Sequence, residues 1–243
     1  ALTKPARLPV FDGALMLDWT QSPHRRRNPL TGEWVLVSPQ RTMRPWQGQM
    51  EAEATDHLPQ YDPTCYLCPG NERAGGIRNP QYSSTFVFDN DFPALLPESG
   101  APPPAHHLLN AEAESGVCRV MCFSPRHDLS LPSMELADLE EVVKAWCGQL
   151  ADLRAKPGIG NVQIFENRGA MMGASNPHPH CQIWATASIP DQILKEDEHQ
   201  RRYLAARNAC LLCDYLALEQ TGERALLENE SFAAIVPFWA VWP

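Results

Sequence analysis

Two histidines and a glutamine alternate within residues 176–184, which read Asn-Pro-His-Pro-His-Cys-Gln-Ile-Trp. In an extended strand, side chains two residues apart share a face, so His178, His180 and Gln182 are predicted to point the same way. The two prolines lack backbone donors, which predicts a strand start or a sheet edge rather than a central strand. Both histidines could instead be hydrogen-bonded structural residues, but a regular alternation of polar groups opposes burial. The pattern favours a row of polar groups that faces a ligand.

A second set of residues has the spacing of metal ligands. Cys65 and Cys68 are separated by two residues and precede a Pro-Gly turn, which suits two thiolates on one Zn²⁺. A tetrahedral site needs two more ligands, and His127 and His178 are the candidates. A pair of buried thiols remains the alternative at this point.

If His178 holds a metal, His180 is the candidate nucleophile, because one imidazole cannot serve both purposes. A neutral imidazole has a ring nitrogen with a free lone pair. If a backbone carbonyl accepts the Nδ1 proton, Nε2 faces the substrate. The amide of Gln182 donates a hydrogen bond without titrating, so it can stabilise an anionic oxygen.

A second cysteine pair, Cys210 and Cys213, lies in an apolar stretch with a helical pattern. Cysteines three residues apart share one face of a helix, so buried packing fits this pair at least as well as metal binding does. Both cysteine pairs precede an apolar strand, which indicates a faint internal repeat whose second copy stops at Pro243.

Residues 176–184, with Phe-Glu-Asn-Arg-Gly at 165–169, closely resemble the galactose-1-phosphate uridylyltransferase family of the histidine-triad superfamily. The resemblance runs from about residue 24 to the C-terminus. It implies an α+β fold, a histidine-triad-like antiparallel half-barrel sheet with helices packed against one side. It also implies uridylyl transfer from UDP-glucose to galactose 1-phosphate, and a homodimer with active sites at the subunit interface.

The resemblance assigns roles to individual residues. It implies that Cys65, Cys68, His127 and His178 bind a structural zinc. His180 would attack the α-phosphorus of UDP-glucose, giving a uridylyl-histidine and a double displacement. Related hydrolases carry a third histidine at the position of Gln182, so the amide favours transfer over hydrolysis. Glu196 matches a ligand of a second metal, but its partner histidines would lie beyond Pro243, and an occupied second site is not expected.

The resemblance also implies a set of uridine-nucleotide contacts. From the residue types alone, Arg41 and Arg44 could be solvated loop arginines. Asn90 and Asp91 could simply form an Asx turn. The matching positions are Arg41, Arg44, Asn90, Asp91, Asn167, Gly173 and Ser175.

Hydrophobic patterning predicts the elements that position these residues. Short apolar runs predict strands at 34–37, 85–88, 117–123 and 162–165. Apolar residues at helical spacing predict a helix from Leu136 to Leu153, with Ser133 as its N-cap, and residues 191–207 read as an exposed helix. The predicted organisation is a flexible arm over 1–23 and a histidine-triad-like domain over 24–190. Connecting helices and the start of an incomplete second repeat occupy 191–243.

Composition limits the classes of function. The 243-residue chain carries a net charge of −9 and one short basic run at 24–27, which argues against a general nucleic-acid surface. No apolar run approaches the roughly 20 residues of a membrane helix, and the first twenty residues do not read as a signal peptide. Eight cysteines without a secretion signal predict reduced thiols and a cytoplasmic location.

Two rival functions remain open on the sequence. One is a nucleotidyl phosphorylase or adenylyltransferase with the same fold. The other is a zinc-stabilised nucleotide-binding fragment without turnover, because in the family the absent part supplies contacts to the hexose phosphate.

Overall fold

The computed structural model describes residues 18–43, 58–102, 104 and 106–241. The chain divides into two compact units, one formed by Met50–Pro190 and the other by Ala1–Gln49 together with Asp191–Pro243. The strands are β1 (His24–Arg27), β2 (Trp34–Val37), β3 (Phe86–Asp89), β4 (Gly116–Cys122), β5 (Asn161–Phe165), β6 (His180–Thr186), β7 (Ala225–Glu228) and β8 (Ala233–Ile235). The helices are α1 (Leu136–Arg154), α2 (Asp191–Arg207) and α3 (Leu211–Glu219).

A four-stranded antiparallel sheet in the order β3-β4-β6-β5 forms the centre of the 50–190 unit. This sheet and its packed helix confirm the predicted α+β class. The histidine strand, β6, is an inner strand between β4 and β5, so the predicted alternative of a sheet edge was wrong. Pro177 and Pro179 lie before the first residue of β6, and the ladder therefore loses no hydrogen bond to them.

Helix α1 covers one face of this sheet. Its buried residues Val142 and Leu153 join a core cluster that includes Cys181 and Ile183 of β6. The predicted helix is confirmed, but its N-cap is Glu135 rather than Ser133. The hydroxyl of Ser133 is used one turn earlier, because it donates to the carbonyl of Ser130 and closes a short 3-10 helix.

The opposite face of the sheet carries a second apolar cluster and leaves room for a site. The loop with Cys65, Leu67 and Cys68 packs against Val120 and Cys122 of β4, and three aromatic residues border this cluster: Tyr82, Phe86 and Phe88. The sheet therefore has one face closed by a helix and one face partly covered by the cysteine loop.

The other unit contains two hairpin-like strand pairs and two helices. β1 pairs with β2, β7 pairs with β8, and both pairs are antiparallel. The helix predicted at 191–207 is confirmed as α2, whereas the strand at His24–Arg27 was not predicted, because a basic run lacks the pattern of a strand. Within the described residues, no helix is long and apolar enough to cross a membrane.

The predicted domain limits stay a prediction. The compact units follow contacts in space, whereas the limits 24–190 and 191–243 were drawn from the sequence repeat. Most of the predicted N-terminal arm, residues 1–17, lies outside the described residues.

Candidate active site

The site is built on the face of the sheet opposite α1. Along β6, half-buried and buried residues alternate, and His180 and Gln182 are half-buried on this face. Strand register places Gln182 opposite Val120, which lies opposite Phe88, so these three side chains form a row across the sheet. His180 lies in the next row, opposite Cys122.

A backbone carbonyl fixes the orientation of the His180 ring. Its Nδ1 lies 2.7 Å from the carbonyl oxygen of His178, and because a carbonyl only accepts, Nδ1 is the protonated nitrogen. The lone pair of the neutral ring is then on Nε2. His180 also lines the cavity described below, so the ring has the arrangement that a nucleophile requires.

The indole of Trp184 fixes the amide of Gln182. The Trp184 Nε1–H donates to Gln182 Oε1 at 3.0 Å, and the indole packs edge-on against Phe165 with ring centroids 5.5 Å apart. Because the amide oxygen is engaged by the indole, the NH₂ group of Gln182 is left to donate. Gln182 lines the same cavity as His180, where such a donor can contact an anionic oxygen.

A cavity of about 470 Å³ lies against this face, in the size range of small-molecule sites. Its wall combines the polar residues of β6 with the end of β3 and the loop after Cys68. The lining includes His180, Gln182, Ser175, Asn90, Asp91 and Arg73. Of these, the first five were predicted from the sequence as catalytic or nucleotide-contacting residues.

Asn90 and Asp91, at the end of β3, meet different partners. The Asn90 side chain accepts the backbone N–H of Phe92 at 3.0 Å, which is the Asx turn weighed from the sequence. The Asp91 carboxylate accepts from Arg73, with Nη1 and Oδ1 2.6 Å apart. Sequence reasoning missed Arg73, since it lies in a polar loop without periodicity and the only local signal is the Gly75-Gly76 turn that follows.

The other predicted nucleotide contacts are more scattered. Asn167 follows β5 and is half-buried, and Gly173 has a φ of 82° in the loop before β6, a conformation that favours glycine. Arg41 is exposed in a short 3-10 helix of the other compact unit. Arg44 lies outside the described residues. The contacts of these four residues with a nucleotide stay predictions.

The four predicted metal ligands come together in one buried cluster. One ligand atom from each of Cys65, Cys68, His127 and His178 lies within 4.8 Å of all the others. The Cys68 sulfur is 3.6 Å from His127 Nδ1 and 3.5 Å from His178 Nδ1. A tetrahedral Zn²⁺ with ordinary bond lengths would place a sulfur and a nitrogen ligand about 3.5 Å apart. The donor set and its spacing therefore fit a tetrahedral metal ion.

Burial shifts the pKa of two of these ligands, His178 and Cys68. It lowers the pKa of His178 to about 4, so the ring is neutral at physiological pH, as a ligand must be. Burial likewise raises the pKa of Cys68 to about 11, and a bound cation would supply the charge that makes the thiolate stable there.

His178 does not share the exposed row with His180, and that part of the sequence prediction was wrong. The extended strand begins only at His180, while His178 is fully buried in the turn before it. The backbone N–H of His178 donates to Asn176 Oδ1 at 2.8 Å, and its Nε2 donates to the Ser124 carbonyl at 2.9 Å. The second bond leaves Nδ1 free for a metal.

Asn176 and Tyr82 support this cluster and were not predicted. Asn176 Oδ1 lies 3.4 Å from the Cys65 sulfur as well as near the His178 N–H. The Tyr82 hydroxyl donates to the Leu67 carbonyl at 2.7 Å and lies 3.4 Å from His178 Nε2. Such contacts orient ligands around a metal, and no spacing rule reveals them from sequence.

The remaining metal candidates are not clustered. Cys210 and Cys213 are exposed at the start of α3, so buried packing, one of the two alternatives for this pair, was wrong. The Cys210 sulfur accepts the Cys213 backbone N–H at 3.3 Å, because Cys210 is the N-cap of the helix. Glu196 lies on α2 and belongs to no group of three or more potential ligands in the described part of the chain. Its role as a ligand stays a prediction.

Known structures share this fold. A structure described as "Structure of uridylyltransferase" superposes with a TM-score of 0.66 and 24% identity, covering 90% of this chain and 63% of that one. An ADP-glucose phosphorylase from Arabidopsis thaliana, with bound ADP-glucose, gives a TM-score of 0.65 and 23% identity, covering 90% of this chain and 65% of that one. At these identities the likeness establishes the fold alone.

Sequence comparison identifies the family. Galactose-1-phosphate uridylyltransferase of Haemophilus influenzae is 49% identical over 226 residues, 92% of this chain and 64% of that protein. The Rattus norvegicus enzyme of the same name is 49% identical over 222 residues, 90% of this chain and 58% of that protein. The chain thus spans about three fifths of these relatives. Residues 15–190 match the family model described as galactose-1-phosphate uridyl transferase, N-terminal domain, and the chain belongs to this family.

Proposed function

We propose that this protein is a nucleotidyltransferase that moves UMP from UDP-glucose to galactose 1-phosphate. The relatives named above, at 49% identity, support this reaction. The single observation that carries the mechanism is the geometry of His180, whose Nδ1 is held by a carbonyl 2.7 Å away while the ring lines the cavity beside Gln182. The relatives and the geometry of His180 together favour a covalent, double-displacement mechanism.

In the first half-reaction, His180 Nε2 attacks the α-phosphorus of UDP-glucose. The new bond joins Nε2 to phosphorus, and the bond from phosphorus to the bridging oxygen breaks, so that glucose 1-phosphate leaves with the electron pair. Throughout the reaction the Nδ1 proton stays on His180 and is donated to the carbonyl of His178. This hydrogen bond stabilises the positive charge that the ring acquires. In the second half-reaction, a phosphate oxygen of galactose 1-phosphate attacks the same phosphorus and His180 leaves, giving UDP-galactose.

Gln182 supports both half-reactions through its NH₂ group. Since Trp184 occupies the amide oxygen, the amide can donate to a phosphoryl oxygen as charge develops in the transition state. The amide does not titrate, so it can neither take a proton from an attacking water nor give one to a leaving group. This chemistry favours transfer to a sugar phosphate over hydrolysis of the intermediate.

Zinc is the proposed metal of the Cys65, Cys68, His127 and His178 cluster, with a structural role. Two thiolates and two imidazoles are the usual ligands of structural zinc. The ion would tie the cysteine loop to the turn that contains His178, two residues before the proposed nucleophile. A second metal at Glu196 is not part of the proposal.

The family resemblance also supports a homodimer, and the cysteine content without a secretion signal supports a cytoplasmic location. In that assembly each active site would lie at the subunit interface. Size-exclusion chromatography with light scattering tests the oligomeric state directly.

Steady-state assays with two donors test the proposed reaction. Release of glucose 1-phosphate is measured with UDP-glucose or ADP-glucose as donor, and with galactose 1-phosphate or inorganic phosphate as acceptor. We expect turnover with UDP-glucose and galactose 1-phosphate, and parallel lines in double-reciprocal plots, as a covalent intermediate requires.

The other outcomes decide between the rivals. Preference for ADP-glucose with phosphate would identify a phosphorylase of the same fold. Binding of UDP-glucose with no release of glucose 1-phosphate would identify a nucleotide-binding protein without turnover. Either result contradicts the proposed reaction.

A further inference from the structure

Arg73 lines the cavity but is not one of the contacts predicted from the sequence. We propose that Arg73 is a positioning residue for ribose recognition, holding the Asp91 carboxylate so that it accepts a hydrogen bond from the 2′-hydroxyl of the bound nucleotide. The inference rests on the proposed function, because it takes the cavity to hold the nucleoside part of a UDP-sugar.

A short and largely buried ion pair joins the two residues. Arg73 Nη1 lies 2.6 Å from Asp91 Oδ1, and the two side chains are only 8% and 17% exposed. A charge-assisted hydrogen bond at this burial restrains a carboxylate far better than a surface pair does. Arg73 occupies one carboxylate oxygen, and no residue in the described ranges donates to the other, Oδ2. Asp91 therefore has a free acceptor at the cavity wall.

Arg73 is itself held in place from two sides. Its guanidinium carbon lies 3.9 Å from the centroid of the Phe88 ring, which belongs to the same row as Val120 and Gln182. Its backbone N–H donates to the Ile77 carbonyl at 2.7 Å, across the turn that contains Gly75 and Gly76. The pair is thus anchored to the sheet that positions His180.

The guanidinium also retains an unused donor. Arg73 Nε is buried and has no hydrogen-bond partner among the described residues. This donor is shielded from the cavity, so the free Asp91 oxygen is the group that a ligand can meet. A hydroxyl group both donates and accepts, so it can donate to the free Asp91 Oδ2. The vicinal diol of a ribose supplies such hydroxyls, and a 2′-deoxyribose lacks one of them.

Binding of UMP and 2′-deoxy-UMP to the intact protein tests the proposal by titration calorimetry. The wild type is expected to favour UMP by about tenfold or more, the effect of one hydrogen bond to a charged group. Arg73→Met keeps an apolar side chain against Phe88 and removes the guanidinium with all of its N–H donors. We expect this variant to reduce the ratio of UMP affinity to 2′-deoxy-UMP affinity below about threefold, mainly through weaker UMP binding. Arg78→Met, an exposed arginine beyond the same glycine turn, is the matched control and should keep the wild-type ratio.

Asp91→Asn distinguishes an effect of Arg73 through the Asp91 carboxylate from a general loss of folded structure. This variant should lower the ratio as Arg73→Met does, and the double variant should lower it no further, because the two residues act through one contact. With UDP-glucose, Arg73→Met should raise KM while kcat changes by less than about threefold, since the lost contact is made equally in the ground and transition states. If Arg73→Met does not fold, Asp91→Asn decides, and an unchanged ratio in that variant overturns the proposal.

Failure of this inference is distinguishable from failure of the proposed function. A wild type that favours UMP, with an equal preference in Arg73→Met, overturns the role of Arg73 alone. A wild type that binds both nucleotides equally overturns ribose recognition by Asp91 and leaves uridylyl transfer standing. A wild type that binds neither nucleotide overturns both.

Discussion

Replacing Trp184 by phenylalanine removes a single N–H donor and keeps an aromatic ring against Phe165. In the wild type that donor holds Gln182 Oε1 at 3.0 Å and so keeps the NH₂ group available to the substrate. A neutral hydrogen bond contributes about 1 kcal/mol net. Without it the amide can turn its oxygen toward the phosphoryl group, so kcat/KM should fall about fivefold.

Two further variants determine whether the effect passes through Gln182. Gln182→Ala removes the donor itself and should cost about 100-fold in kcat. Trp184→Phe added to Gln182→Ala should cost nothing more, because no amide remains to be oriented. Trp146→Phe is the matched control: its Nε1 donates to the Cys181 sulfur on the helix-covered face, 3.4 Å away, so its loss should leave the rate unchanged.

The assay is single-turnover release of glucose 1-phosphate from UDP-glucose, with melting temperatures measured in parallel. The reasoning is refuted if Trp184→Phe reacts like the wild type. It is equally refuted if Trp184→Phe adds its full fivefold loss to Gln182→Ala, since the indole would then act independently of the amide.

Three further outcomes follow from burial. Cys65→Ser should lose bound zinc, measured by metal analysis, and melt earlier, whereas Cys147→Ser, at an exposed cysteine, should change neither. Leu153→Ala, at a fully buried position of α1, should cost about 2–5 kcal/mol in urea unfolding, and Leu150→Ala, 37% exposed, clearly less. Native alkylation followed by mass mapping should label only the three exposed cysteines, Cys147, Cys210 and Cys213.

Each of these has a contrary result. Equal zinc content in Cys65→Ser and wild type would contradict the four-ligand cluster. Equal losses for the two leucine variants would contradict the packing of α1 against the sheet. Labelling of Cys68 in the metal-loaded protein would contradict its burial.

The sequence predicts the parts of this structure that depend on local pattern. Apolar spacing predicts α1 and strands β2 to β5, and alternation predicts the shared orientation of His180 and Gln182 on β6. The metal ligands follow from spacing together with the family resemblance. These features depend on local pattern or on specific motifs, so they can be predicted without knowing which distant residues are in contact.

Contacts between distant segments are what the sequence does not reveal. The pairing of Arg73 with Asp91 joins a loop to the end of β3, and neither residue has a pattern that indicates the other. The inner position of β6 depends on which strands pair with it, and the exposure of Cys210 depends on its place as a helix N-cap. Each of these is decided by tertiary packing.

Intact-protein mass spectrometry after mixing with UDP-glucose tests the central claim most directly. The wild type should gain the mass of one uridylyl group and lose it when galactose 1-phosphate is added. His180→Ala should gain none, although it should still bind UDP-glucose. An adduct of the same mass in His180→Ala, or a wild type that turns over UDP-glucose without ever carrying one, would contradict a nucleophilic His180.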